Sequence, residues 1–217
     1  MWRRAQEYRR VPIMGLSPVT NPAQADDATW SLHDAVTVEA DKSWRPWQQN
    51  LRILRHHLTR PLPRPRWSRL LGHEGDQQIE RIVYVLPSQT SGSDIGSAAC
   101  LGNFVAFAAK TIENTPGLPP VRFVELPPTD YTKLAKLEQS LRDAVATALN
   151  DKVVPAKYDE ISIDTTAGFK LFSIAGAAVT FASPAEFTYV TTSAPYEVQV
   201  FAVRAMVRPT RIPWWTS

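Results

Sequence analysis

The segment Asp164-Thr165-Thr166-Ala167-Gly168-Phe169-Lys170 joins the residue types that can hold a phosphate group. A glycine in a strand-to-helix turn lets main-chain N–H groups approach a ligand, and the following helix presents its positive end. Thr165 and Thr166 add hydroxyl donors, and Lys170, in the first helical turn, adds a point charge. The same residues also fit a plain helix cap, in which Asp164 or Thr165 accepts from the first amides and Lys170 stands in solvent. The segment matches neither the Walker lysine loop nor the GxGxxG fingerprint.

Ligands of open α/β sheets bind beyond the carboxyl ends of the strands, so two further loops count as candidates. One is Gly15-Leu16-Ser17 and the other is Ser88-Gln89-Thr90-Ser91. Other polar groups point to less. His56 and His57 are neighbours on a helix, about 100 degrees apart around its axis, so joint metal ligation is not expected and both read as surface residues. His33-Asp34 and His73-Glu74 lack an assignable third partner, and Ser91-Gly92-Ser93 lacks the nucleophile-elbow pattern. Cys100, in an apolar stretch, reads as buried and inert. No catalytic residue, metal site or cofactor is assigned.

The elements that must carry these loops follow from periodicity. Val11 to Ser17 reads as a buried strand, then a polar loop runs to about Lys42. Ser43 is placed to cap a helix in which Trp47, Leu51, Leu54 and Leu58 recur on one face, with a basic outer face. The continuous apolar run Ile82 to Leu86 predicts a strand buried on both sides, followed by a helix over Leu101 to Ile112. Val121 to Leu126 is the next strand, and Thr129 or Asp130 is placed to cap a helix carrying Tyr131, Leu134, Leu137, Leu141, Val145 and Leu149. Glu160 to Asp164 is a strand and Phe169 to Phe181 a helix, while Phe187 to Thr191 and Glu197 to Val203 form an antiparallel pair. The alternation predicts an α/β fold, a Rossmann-like three-layer sandwich with a mainly parallel sheet and a C-terminal antiparallel hairpin. One domain spans 1–217, with its core over about 11–203, a Pro/Arg-rich connection at 61–78 and a tail at 204–217.

The 217 residues, 44% hydrophobic and 21% charged, are those of a globular domain with a substantial core, which excludes wholesale disorder and fibrous classes. A single cysteine excludes an intramolecular disulfide and fits a reducing cytoplasm. No apolar run approaches the ~20 residues of a membrane span. The net charge is only +3, but Lys42, Arg45, Arg52, Arg55, Arg60, Arg64, Arg66 and Arg69 crowd one segment. That asymmetry fits an anionic partner, whether nucleic acid, nucleotide or acidic membrane surface, and equally a solvated basic face. Tryptophans beside arginines, such as Trp44 and Trp47, fit either base stacking or core packing.

Asp-Thr-Thr-Ala-Gly-Phe-Lys, followed by the small-residue helix and a strand, resembles the Asp/Asn-x-Thr-Gly-Gly-Thr-Lys turn of CRISPR-associated Rossmann fold (CARF) domains and the related SAVED domains. Ala167 and Phe169 stand where that motif carries Gly and Thr. The resemblance implies a sensor that binds a cyclic oligoadenylate in type III CRISPR or related antiviral defence. A homodimer or higher homo-oligomer would share the ligand and signal through assembly or a separate effector protein. It further implies contacts from Gly15, Leu16, Ser17, Ser88, Gln89, Thr90, Ser91, Thr165, Thr166, Ala167, Gly168 and Lys170. Two alternatives stand beside it: a metal-independent ring nuclease that cleaves the same ligand, and a nucleic-acid-binding module acting through residues 42–69.

Overall fold

The computed structural model describes residues 8–22, 29–38, 44–60, 80–89, 96–151, 158–166, 170–191 and 194–201. These form β1 (Tyr8–Leu16), α1 (Leu32–Thr37), α2 (Arg45–Thr59), β2 (Glu80–Pro87), α3 (Leu101–Glu113) and β3 (Arg122–Glu125). There follow α4 (Leu134–Asn150), β4 (Tyr158–Asp164), α5 (Lys170–Phe181), β5 (Glu186–Val190) and β6 (Val198–Phe201). The strands make one six-stranded sheet in the order β3-β2-β1-β4-β5-β6. All neighbours are parallel except β5 and β6, which are antiparallel. The expected α/β sandwich with its C-terminal antiparallel pair is therefore the observed fold.

Side-chain alternation along the central strands sorts the core into two layers. Met14, Leu16, Val83 and Val85 face α1, α2 and α3, where Trp47 packs edge-on to Phe104 at 5.5 Å and Trp44 stacks on Trp30 at 5.2 Å. Val11, Ile13, Ile82, Tyr84, Ile161 and Ile163 face α4 and α5 through Leu137, Leu141, Phe172 and Val179. Trp44 and Trp47 thus serve packing rather than base stacking.

Three sequence expectations give way here. The polar loop before Lys42 contains α1, started by a reciprocal capping box between Ser31 and Asp34. Ser43 lies outside the described residues, and α2 begins after Trp44 with Pro46 in its first turn. The basic outer face of α2 keeps Arg45 exposed and Arg55 half-exposed but loses Arg52. Sheet, α1 and the β5–β6 hairpin enclose the helix, so Arg52 is buried, donates to the Val36 carbonyl at 3.1 Å and lies 3.9 Å over the Tyr196 ring.

His57 is likewise buried rather than superficial, because α2 crosses β4 and sets its Nε2 3.1 Å from Ser162 Oγ. Burial drives its pKa down to about 3, with His56 and the arginines Arg10, Arg60 and Arg81 adding to the effect. Beside it, Arg81, Arg10 and Glu160 sit in register across β2, β1 and β4. Arg10 pairs with Glu160 at 3.3 Å and donates to the carbonyls of His57 and Arg60, while Arg81 donates to the His57 carbonyl at 2.7 Å. Two guanidiniums therefore close the negative end of α2.

Candidate functional site

β1 and β4 are adjacent in space, yet their outgoing connections leave to opposite faces, β1 toward α1 and α2 and β4 toward α5. This is a topological switch point, where an open α/β sheet forms a crevice beyond its carboxyl ends. The register Met14↔Asp164 and Leu16↔Pro87 brings the ends of β1, β2 and β4 to one edge. The described starts of the three loops singled out in the sequence, at Gly15, Ser88 and Asp164, therefore share that edge.

Their side chains take different parts in it. Gly15 and Leu16 are buried; the Gly15 carbonyl accepts from Asn50 Nδ2 at 2.9 Å, and the Leu16 side chain belongs to the core. Ser17 is half-buried. Ser88 is buried and bound to Ser97, each amide donating to the other's hydroxyl at 2.8 and 2.9 Å. Gln89 is exposed, with its side chain donating to the Pro128 carbonyl at 3.0 Å. Thr90, Ser91, Ala167 and Gly168 lie outside the described residues.

At the Asp164 turn the structure combines cap and candidate site. The Asp164 Oδ1 accepts from the Thr166 amide at 2.9 Å, an Asx-type turn that leads into α5. Thr165 is buried, and its amide and hydroxyl both donate to the Thr188 carbonyl. The Thr166 hydroxyl accepts from the Val190 amide at 2.7 Å. Both threonines thus brace the turn against β5. Lys170, the first residue of α5, is exposed beside this edge.

Helix α5 reaches the turn because of a glycine. A Cβ at Gly176 would lie 2.7 Å from Thr165 Cγ2, so only hydrogen lets the helix seat this closely on the end of β4.

Sequence reading did not find Tyr131. It sits in the turn before α4 rather than on the helix, fully buried, and its hydroxyl donates to the Leu86 carbonyl while accepting from the Leu16 amide at 3.3 Å. It ties the ends of β1 and β2 together under the edge. Burial raises its pKa, and the nearby Asp164 charge raises it further. Asp164 itself has no solvent exposure, and burial lifts its carboxyl to about 7 against the pull of the Thr166 hydroxyl and amide.

Among the described residues, the edge offers a ligand the exposed Lys170, with Gln89 and Ser17 near the ends of β2 and β1, over strand ends braced by the hydrogen bonds of Ser88, Thr165, Thr166 and Tyr131. No protein-family model matches this chain, and no curated protein matches it either.

Proposed function

We propose that the chain is a nucleotide sensor that binds a cyclic oligoadenylate across the switch-point edge, as its CARF/SAVED-like turn implies. The observation that supports this reading is that Asp164 to Thr166 end β4 at the β1/β4 switch point, with Lys170 exposed as the first residue of α5. Lys170 would meet phosphate, and Ser17 and Gln89 would meet ribose or base. Ser88, Thr165 and Thr166 would hold the frame, since their hydrogen-bonding groups already serve the fold. Signalling through assembly is supported by α5, which carries no charge from Leu171 to Phe181 and exposes Ile174 and Phe181 one above the other on its outer side.

Binding without turnover is the form we favour, because the one carboxylate of the turn, Asp164, is enclosed and cannot meet a ribose hydroxyl as a base. Linear nucleic acid held by the basic segment is the weaker reading: Arg52 is buried under Tyr196 and Arg60 is paired to Glu160 at 2.8 Å. Isothermal titration with cyclic oligoadenylates of three to six units tests the proposal. Saturable binding of one ring size is expected, and no heat with any of them overturns it.

A further inference from the structure

Beneath the edge, on the α2 side of the sheet, three oxygen atoms from three elements are enclosed and have no hydrogen-bond partner among the described residues. They are Asp164 Oδ2 on β4, Thr188 Oγ1 on β5 and Asn50 Oδ1 on α2. All three residues have zero solvent exposure. Asp164 and Thr188 are register partners on adjacent parallel strands. They share a face: Ser162, two residues before Asp164, meets His57 of α2, and Val190, two residues after Thr188, lies in the core under that helix.

Asn50 lies over the same end of the sheet, bonded to Gly15 of β1. α2 runs back over β4, with His57 above Ser162, and Asn50 lies seven residues earlier, about 10 Å nearer the carboxyl edge. Two residues of strand carry β4 about 6.6 Å from Ser162 to Asp164. The bond from Asn50 Nδ2 to the Gly15 carbonyl fixes the amide beside Met14, the register partner of Asp164, and leaves Oδ1 to the interior. A carboxylate oxygen, an amide oxygen and a hydroxyl oxygen are thus buried without partners among the described residues on one side of the sheet near its carboxyl edge, and two of the three can only accept.

We propose that these three oxygens form a site for a small monovalent cation, sodium or potassium, held beneath the switch-point turn. Oxygen-only ligation suits a hard cation. A single carboxylate selects the charge, because a monovalent ion with Asp164 is neutral overall, whereas a divalent ion leaves a net charge in a dry interior. Bound there, the ion joins β4, β5 and α2 at the point where the Thr165 and Thr166 contacts already brace the turn. The inference does not rest on the nucleotide reading.

Thermal unfolding of the full chain at pH 8 in equal concentrations of choline, sodium or potassium chloride tests it. A saturable rise of the midpoint by about 3 °C or more in sodium or potassium over choline is expected. The near-isosteric Asp164→Asn and Thr188→Val each remove that rise, while Lys170→Ala, at the rim above, retains it. Identical midpoints for the wild-type chain in all three salts, or a rise that survives in both floor variants, overturns the site. A response to magnesium chloride alone overturns its monovalent character.

Discussion

Ser88 and Ser97 hold each other by a matched pair of hydrogen bonds, the amide of each donating to the hydroxyl of the other, with the two hydroxyls 3.1 Å apart. The ends of the connection between β2 and α3 are thereby clasped inside the protein. Ser97→Ala leaves the Ser88 amide without its acceptor in a buried place. A loss of about 1–3 kcal/mol is expected from urea unfolding. Ligand titration on the same variant is expected to weaken, since Gln89 hangs from the clasp.

Lys170→Ala is expected to separate binding from folding. The side chain is exposed, so the unfolding midpoint should stay within the small range of surface substitutions. Loss of one charge-assisted contact to phosphate should weaken binding about ten-fold. Calorimetric titration beside thermal unfolding reads both, and unchanged affinity would place the phosphate elsewhere.

His57 sets a slope in acid. Its folded pKa of about 3 lies below the unfolded 6.5, so between these values the unfolded chain binds the extra proton. Stability from this group therefore rises with pH across that window, at about 1.4 kcal/mol per pH unit at most, and is constant above it. Unfolding free energies of wild-type and His57→Gln chains from pH 4 to 8 should differ by an amount that grows up to about pH 6.5 and then levels. A constant difference contradicts the buried neutral imidazole.

Gly176→Ala opposes two effects. Alanine favours a helix over glycine by up to about 1 kcal/mol. The added methyl, however, meets Thr165 Cγ2 at 2.7 Å, and overpacking of this kind costs about 1–3 kcal/mol. Net destabilisation is expected in chemical unfolding. Gly176→Ala combined with Thr165→Ser, which removes the opposing methyl, should recover part of the loss.

The strand and helix periods carried most of the architecture, because Ile82 to Leu86 and the α4 repeat have burial patterns that one face or two faces of a sheet impose. The short α1 was signalled by Ser31 and Asp34 three residues apart, a capping box hidden in a polar stretch. The surroundings of α2 were not legible. Arg52 and His57 look like a solvated face until the hairpin and β4, which arrive more than a hundred residues later, close over them. Tyr131 failed for a related reason: it fits the helical spacing of Leu134 and Leu137, but its hydroxyl is drawn to the ends of two distant strands. At the candidate site, residue types singled out loops that begin at one edge of the sheet, whereas which threonine or serine faces outward depends on partners such as Thr188, Val190 and Ser97 that spacing alone does not identify.

The strand order has a consequence for biosynthesis. Helices α1, α2 and α3 all precede β3 in the chain and cover one side of the sheet, whereas α4 and α5 come after it and cover the other. A nascent chain emerging as far as Glu125 can pair β1, β2 and β3 and clothe one side only. Val11, Ile13, Ile82, Tyr84 and Leu86 would then line a bare apolar wall, and the open edge of β1 would await β4. That half-dressed sheet keeps its apolar wall uncovered until α4 and α5 have been made.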